Sequence, residues 1–325
     1  GLGQGFVPHV AGDARGTIYA CTLSHSERGG LWRWDPAGRG RFDSVSGVPE
    51  GVRIMTLAWD PEGTLAMNTD QGLFRQTRGG FERITPLHAY AHVHFARDGS
   101  VWLGSVGHEL QYFDGAEGRR LPHPPGFTGL WVNSLAEAKD GSIWVASDAL
   151  EPGQMGGLMR WDPRTLTVLE TKRSVTHVRT RGGWESVSGF SAVWIDADES
   201  VWAGGFGHVS HLASGTRKDY TIDDGLPEAN IFQMTQDVEG RLWVATWGGL
   251  ALFDGECWSV LDRRDGLTGD TLFTVWPDPE GGIWVGGEGG IAKYRRGTVP
   301  PRVRITGLEG DQVLTNWTAR PRFQT

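Results

Sequence analysis

Three histidines within seven residues, His88-Ala-Tyr-Ala-His-Val-His94, form the one compact cluster of titratable side chains in this 325-residue sequence. In a strand His92 and His94 share a face, because side chains alternate. Two imidazoles so spaced can hold a metal ion, but no third ligand stands nearby. The pair is therefore expected to hydrogen-bond along a channel, with no metal and no cofactor. Other catalytic patterns are missing. There is no Gly-x-Ser-x-Gly elbow, no phosphate loop and no Cys-x-x-Cys site. Cys21 and Cys257 lie far apart and read as two free thiols. Asp13, Asp60, Asp140, Asp237 and Asp278 recur in one turn motif, where such side chains bond backbone amides. No catalytic set emerges, which weighs against an enzyme.

The tryptophans offer a different chemistry. Trp131, Trp184 and Trp247 stand outside the position where tryptophan recurs. An exposed indole beside Asn, Asp and Arg suits a sugar, whose apolar face stacks while its hydroxyls bond polar groups. The competing reading packs these rings inside the fold.

The elements that position these residues follow from composition and period. The chain has 49 Gly and 16 Trp, 38% hydrophobic residues and a net charge of -8. So much glycine excludes a helical bundle, and the apolar content excludes disorder. No apolar run spans a membrane, and the acidic balance argues against nucleic acid as partner. A motif of Asp, a Gly turn, an aliphatic and usually Trp ends at Tyr19, Ala66, Trp102, Trp144, Trp202, Trp243 and Trp284. The spacings are 47, 36, 42, 58, 41 and 41 residues. The fourth unit carries an insertion, placed at Ala149–Met155. Apolar runs separated by Asp-Gly and Gly-Gly turns give about four short strands per unit. Seven such units predict an all-β, seven-bladed β-propeller of four-stranded antiparallel blades over residues 1–298. A non-closing solenoid is the competing fold. The repeated Trp is expected to fill the wedge between blades. Residues 299–325 read as the start of a β-sandwich or as a closing strand.

If the run before each Asp turn is innermost, two loop sets share one face. Entries to the innermost strands bring Arg53, His88, Tyr90, His92, Asn133, Trp184, Glu185, Asn230 and Asp270. Turns between second and third strands bring His25, Glu27, Asp70, His108, Asp148, Glu151, His208, Trp247 and Glu288. The ligand-binding set expected from these is Arg53, His92, Asn133, Trp184, Glu185, His208, Asn230, Trp247, Asp270 and Glu288.

Asp224-Gly-Leu-Pro, Asp237–Trp243 and Leu242-Trp-Val-Ala-Thr-Trp-Gly-Gly-Leu-Ala-Leu-Phe-Asp254 resemble the two-component regulator propeller repeat. Asp265-Gly-Leu267, Ile283-Trp-Val-Gly-Gly287 and Gly289-Gly-Ile291 repeat the pattern. The resemblance implies the sensor part of a bacterial signalling protein, periplasmic or extracellular, with a small-molecule or carbohydrate ligand. Its partners would be the C-terminal signalling part of the same protein or a second copy, as a homodimer. Gly1–Val10 shows no charged-then-apolar leader, which reads as a trimmed or mature form. Streptogramin lyases share the general architecture and use His and Glu with magnesium, so a lyase or hydrolase built on His92, His208, Glu185 and Glu288 is the enzymatic alternative. A protein-interaction platform is the third.

Overall fold

The computed structural model describes residues 6–13, 15–23, 30–35, 41–87, 92–104, 110–122, 130–149, 156–173, 175–180, 183–295, 304–306 and 322–324, with the backbone alone over 175–188. Seven antiparallel sheets follow one another along the chain, each with its strands in sequence order. Six are four-stranded and span residues 6–44, 54–85, 93–121, 130–173, 192–220 and 231–261. The seventh, over 272–294, has three strands. The only helices among the described residues are single 3-10 turns at Ile222–Asp224 and Arg263–Asp265. Each is closed by a capping box and a left-handed glycine. The first strands of successive blades contact one another around the whole circle, and that of blade 1 packs on that of blade 7. The chain is thus a closed seven-bladed propeller, not a solenoid. The strand before each Asp turn is the innermost.

A ring of hydrogen bonds joins the innermost strands. One inward position per blade carries His9, Thr56, His92, Ser134, Ala192, Gln233 and Thr274. At this position a polar atom accepts the backbone N–H of the next blade. Leu57 N–H donates to His9 Nδ1 at 3.3 Å, Leu135 N–H to His92 Nδ1 at 2.9 Å and Val193 N–H to Ser134 Oγ at 3.2 Å. Val275 N–H donates to Gln233 Oε1 at 3.0 Å. The circle closes where Val10 N–H donates to Thr274 Oγ1 at 3.1 Å, and that hydroxyl donates on to Val10 O at 3.2 Å. Ala192 has no atom to offer, and Thr56 Oγ1 is buried without a partner. No fourth strand completes blade 7 among the described residues. Arg304–Thr306 pairs with Arg322–Gln324 in a separate sheet, within a unit (Arg295–Thr325) distinct from Gly1–Tyr294. Thr274→Val should therefore cost about 1–3 kcal/mol, because it keeps the shape and strands a buried N–H at the seam. Urea unfolding measures this, and a cost below about 0.5 kcal/mol would show that face packing alone closes the ring.

The repeated aromatic is the wedge. Trp102, Trp144, Trp202, Trp243 and Trp284 are all buried, and each sits in a core cluster with the following blade. Tyr19 does the same between blades 1 and 2. Polar ends are matched: Trp243 Nε1–H donates to Asp237 Oδ2 at 2.7 Å and Trp284 Nε1–H to Asp278 Oδ2 at 3.1 Å. Burial pushes the Asp237 carboxyl up, but the bonds from Trp243 and Arg241 outweigh it and hold its pKa below the ordinary value. Blade 2 has Ala66 in the wedge position.

Two departures from the regular unit have local causes. Glycine holds the left-handed corner of six Asp turns, but blade 5 has Glu199 there at φ 67°. A side chain in that conformation is strained. Its carboxylate accepts Lys139 N–H of blade 4 at 3.1 Å, a contact glycine cannot make. The long fourth unit owes its length mainly to a two-stranded hairpin, Val175–Thr180 with Gly183–Ser188, between blades 4 and 5. The insertion expected at Ala149–Met155 falls in a second long link: Ser147 pairs with Gly157 across nine residues where Thr246 pairs with Gly249 across two, and 150–155 lie outside the described residues.

Candidate functional site

The two loop sets do share one face, because backbone bonds stitch them together. Asp70 N–H donates to Arg53 O, Gly104 N–H to His92 O, Trp247 N–H to Asn230 O and Glu288 N–H to Thr271 O, at 2.8–3.2 Å. Asp70, Trp247 and Glu288 are the same turn position in blades 2, 6 and 7. Arg53 and Asp70 add a direct pair: Arg53 Nε lies 3.1 Å from Asp70 Oδ2, and Arg53 N–H donates to Oδ1 at 2.9 Å.

Four innermost strands bulge at this rim, between Ile54 and Thr56, Val132 and Ser134, Ile231 and Gln233, and Leu272 and Thr274. A bulge inserts one residue outside the pleat's alternation and re-aims its side chain. The extra residues are Met55, Asn133, Phe232 and Phe273, all partly exposed. Blade 1 has a similar irregularity after Phe6. Four of the rings in this region line up. Phe6 and Phe273 have centroids 4.6 Å apart, Phe273 and Phe232 5.2 Å, and Phe232 and Trp247 5.5 Å. The arc runs over blades 1, 7 and 6 and ends on Trp247, which is 51% exposed. Sequence reasoning found Trp247 and missed Phe6, Phe232 and Phe273. Their signal was the pair Ile231-Phe232 and Leu272-Phe273 at equal places in two units.

The other expected site residues fall into three groups. Asn133, Asn230, Trp247, Asp270 and Glu288 lie on the rim. Asp270 also accepts Arg263 N–H at 2.9 Å, which ties its loop. Trp184 and Glu185 lie on the inserted hairpin, paired with Arg179 and Val178. His92 and His208 are committed to internal bonds. The Leu135 bond requires a neutral His92 ring, and burial, helped by the charges of His94 and His9, lowers its pKa to about 3. His94 turns to blade 4 instead, its Nε2 3.3 Å from Glu137 Oε2, where Arg97 Nε also meets that carboxylate at 3.0 Å. Burial raises the Glu137 pKa, and the His94 and Arg97 bonds bring it below the ordinary value. His208 is fully buried against Phe190, and its Nδ1–H donates to Phe206 O at 3.1 Å. Burial lowers its pKa too. Among the described residues no three His, Cys, Asp or Glu are placed to hold a metal. Of the four residues of the enzymatic alternative, His92 and His208 are buried and bonded within the fold, Glu288 lies on the rim and Glu185 is on the hairpin. His25, Glu27, His88, Tyr90, His108 and Glu151 lie outside the described residues.

Residues 225–248, the start of blade 6, match the two component regulator propeller family model. Among curated proteins no sequence matches. Among solved structures the chain is similar to the extracellular domain assigned to the hybrid two component system BT3049 of B. thetaiotaomicron, with TM-score 0.70 and 18% identity over 100% of this chain and 44% of that one. The corresponding domain of BT4673 from the same organism gives TM-score 0.70 and 19% identity, over 94% of this chain and 40% of that one. This chain thus spans less than half the length of either. Streptogramin B lyase superposes with TM-score 0.64 at 13% identity, over 90% of this chain and 94% of that one. These likenesses show the shared propeller fold.

Proposed function

We propose that this propeller, one of whose blades carries a two component regulator propeller repeat, is the ligand-binding part of a bacterial signalling protein facing the periplasm or the outside. Its ligand is a small molecule or oligosaccharide held on the loop face. The single observation that carries this reading is the aromatic arc ending on exposed Trp247. Large exposed rings cost hydration unless something covers them. A pyranose ring matches the geometry, since its C–H face stacks on an indole while Asn230 and Glu288 stand in the neighbouring loops to bond hydroxyls. The sensor role draws on the repeat at 225–248 and on the fold shared with extracellular domains of two component systems. No described helix is long and apolar enough to cross a membrane.

A ring of blades bonded to one another has few internal moves. Signalling then runs through a change in association or in contact with the C-terminal part, and the ligand must bind the two signalling states unequally. Calorimetric titration with a panel of neutral oligosaccharides tests the binding. Saturable heat is expected for at least one glycan, and Trp247→Ala should weaken it about tenfold, the loss of one stacking contact. No heat from any glycan, or unchanged affinity in the alanine variant, would remove the carbohydrate reading.

A further inference from the structure

The wedge between blades 1 and 2 is Tyr19, a single ring where five other interfaces carry the double ring of tryptophan. A crevice of about 530 Å³ opens beside it. Its volume lies in the range of small-molecule sites. Blade 1 supplies Tyr19, Arg33 and the segment Ser44–Gly47, and blade 2 supplies its outer hairpin turn, Gln76–Gly80. The two walls touch backbone to backbone. Gly47 is left-handed at φ 79°, and a Cβ there would lie 2.7 Å from Gly80 Cα. Only glycine meets both conditions. Alternation aims the side chains inward. Tyr19 and Arg33 are directly paired, so they share the face that blade 1 turns to blade 2. Gln76 lies two residues beyond Phe74 on its strand and shares the face that Phe74 packs into the same cluster.

The charges in this crevice are of one sign. Arg33 and Arg78 line it, and no carboxylate does. Both arginines are exposed, and neither forms an ion pair among the described residues. Three equivalents of Arg33 behave differently. Arg75, Arg160 and Lys293 pair with the wedge position in blades 2, 4 and 7, and each binds the carboxylate of its own Asp turn. Arg33 turns instead to the Tyr19 hydroxyl. That bond leaves most of the guanidinium's donors unused. Asp43, opposite Arg33 on the outer strand, is held by Arg41 at 3.0 Å.

We propose that this crevice binds a phosphate monoester carried on a small hydroxylated molecule. The phosphate oxygens accept hydrogen bonds from Arg33 and Arg78, whose forked donors match that anion. The Gln76 amide bonds a hydroxyl of the carrier. Two guanidiniums without a carboxylate select a dianion over a single charge. The site is separate from the aromatic arc, which runs over blades 1, 7 and 6.

Calorimetric titration of the whole chain with glycerol phosphate, inorganic phosphate and glycerate tests this. Saturable binding of glycerol phosphate is expected. Inorganic phosphate should bind more weakly, for want of the carrier hydroxyl, and glycerate more weakly still, because it carries one charge. Arg33→Gln and Arg78→Gln should each cost about tenfold in affinity, as loss of a charged hydrogen bond does. Circular dichroism checks that both variants fold. Arg120→Gln removes an exposed arginine of blade 3 outside the crevice and should leave the affinity unchanged. No saturable heat with glycerol phosphate would overturn the proposal. Equal affinity for inorganic phosphate or glycerate, unchanged affinity in both crevice variants, or an equal loss in Arg120→Gln would overturn it as well.

Discussion

Trp243→Ala should destabilise the propeller by about 3–5 kcal/mol, the usual cost of removing a fully buried large aromatic side chain. The residue is 0% exposed and lies among Ala245, Leu250, Leu272, Val275 and Ile283, so no solvent or mobile side chain is at hand to refill the space. Asp237 also loses the shorter of the two indole bonds, though Arg241 remains on that carboxylate at 2.7 Å. Trp247→Ala, four residues along the same chain, should cost less than about 1 kcal/mol, because half of its surface already meets water. Chemical denaturation of both variants reads the contrast. Similar losses would show that the repeated position is not the wedge. Trp243 lies inside the strand Leu242–Thr246 and Trp247 directly after it, so four residues separate the wedge from the rim.

Between pH 7 and pH 5 the propeller should lose about 4 kcal/mol of stability through two histidines. His9 and His92 each accept a backbone N–H on Nδ1, so each must be neutral in the folded chain. Burial lowers the His9 pKa to about 4, and burial with the neighbouring His94 and His9 charges lowers that of His92 to about 3. In the unfolded chain both return to about 6.5. The folded pKa is below the unfolded one, so the stabilisation is complete above about pH 6.5. It falls as the pH drops from there towards 4, because the unfolded state then binds more protons. At pH 5 this amounts to roughly 2 kcal/mol for each histidine. The double variant His9→Gln, His92→Gln supplies the control. Glutamine is what blade 6 uses at this position, and Gln233 Oε1 holds Val275 N–H without a titrating group. Stability of that variant should change by less than about 1.5 kcal/mol over the same range. The remaining slope belongs to His208 and His211, whose pKa values burial also lowers. A wild-type curve as flat as the variant's would refute charged exclusion at the ring.

The histidine pair shows what a local reading can and cannot see. Alternation put His92 and His94 on one side of a strand, and both rings turn to blade 4. It could not say that the two rings part, one to Leu135 N–H and one to Glu137, because both partners come from the next blade, over 40 residues on. Nor did it connect His92 with His9, although each stands ten residues before the end of its unit's motif, at Trp102 and Tyr19. The missed phenylalanines have a similar cause. Phe232 and Phe273 occupy bulges, and a bulge is a property of two paired strands that neither strand's alternation records.

The sequence by itself determined the blades. Asp turns, glycines and strand runs are local devices, and each unit writes them out within about 44 residues, so their number and order could be counted along the chain. It also determined that Ala66 stands where six units carry an aromatic. Only the tertiary structure decided what those facts do. The arc from Phe6 to Trp247 joins the first described residue to ones more than 220 positions away. The bond from Val10 N–H to Thr274 Oγ1 joins residues 264 positions apart. Both exist because the ring closes, and closure brings together side chains from opposite ends of the chain.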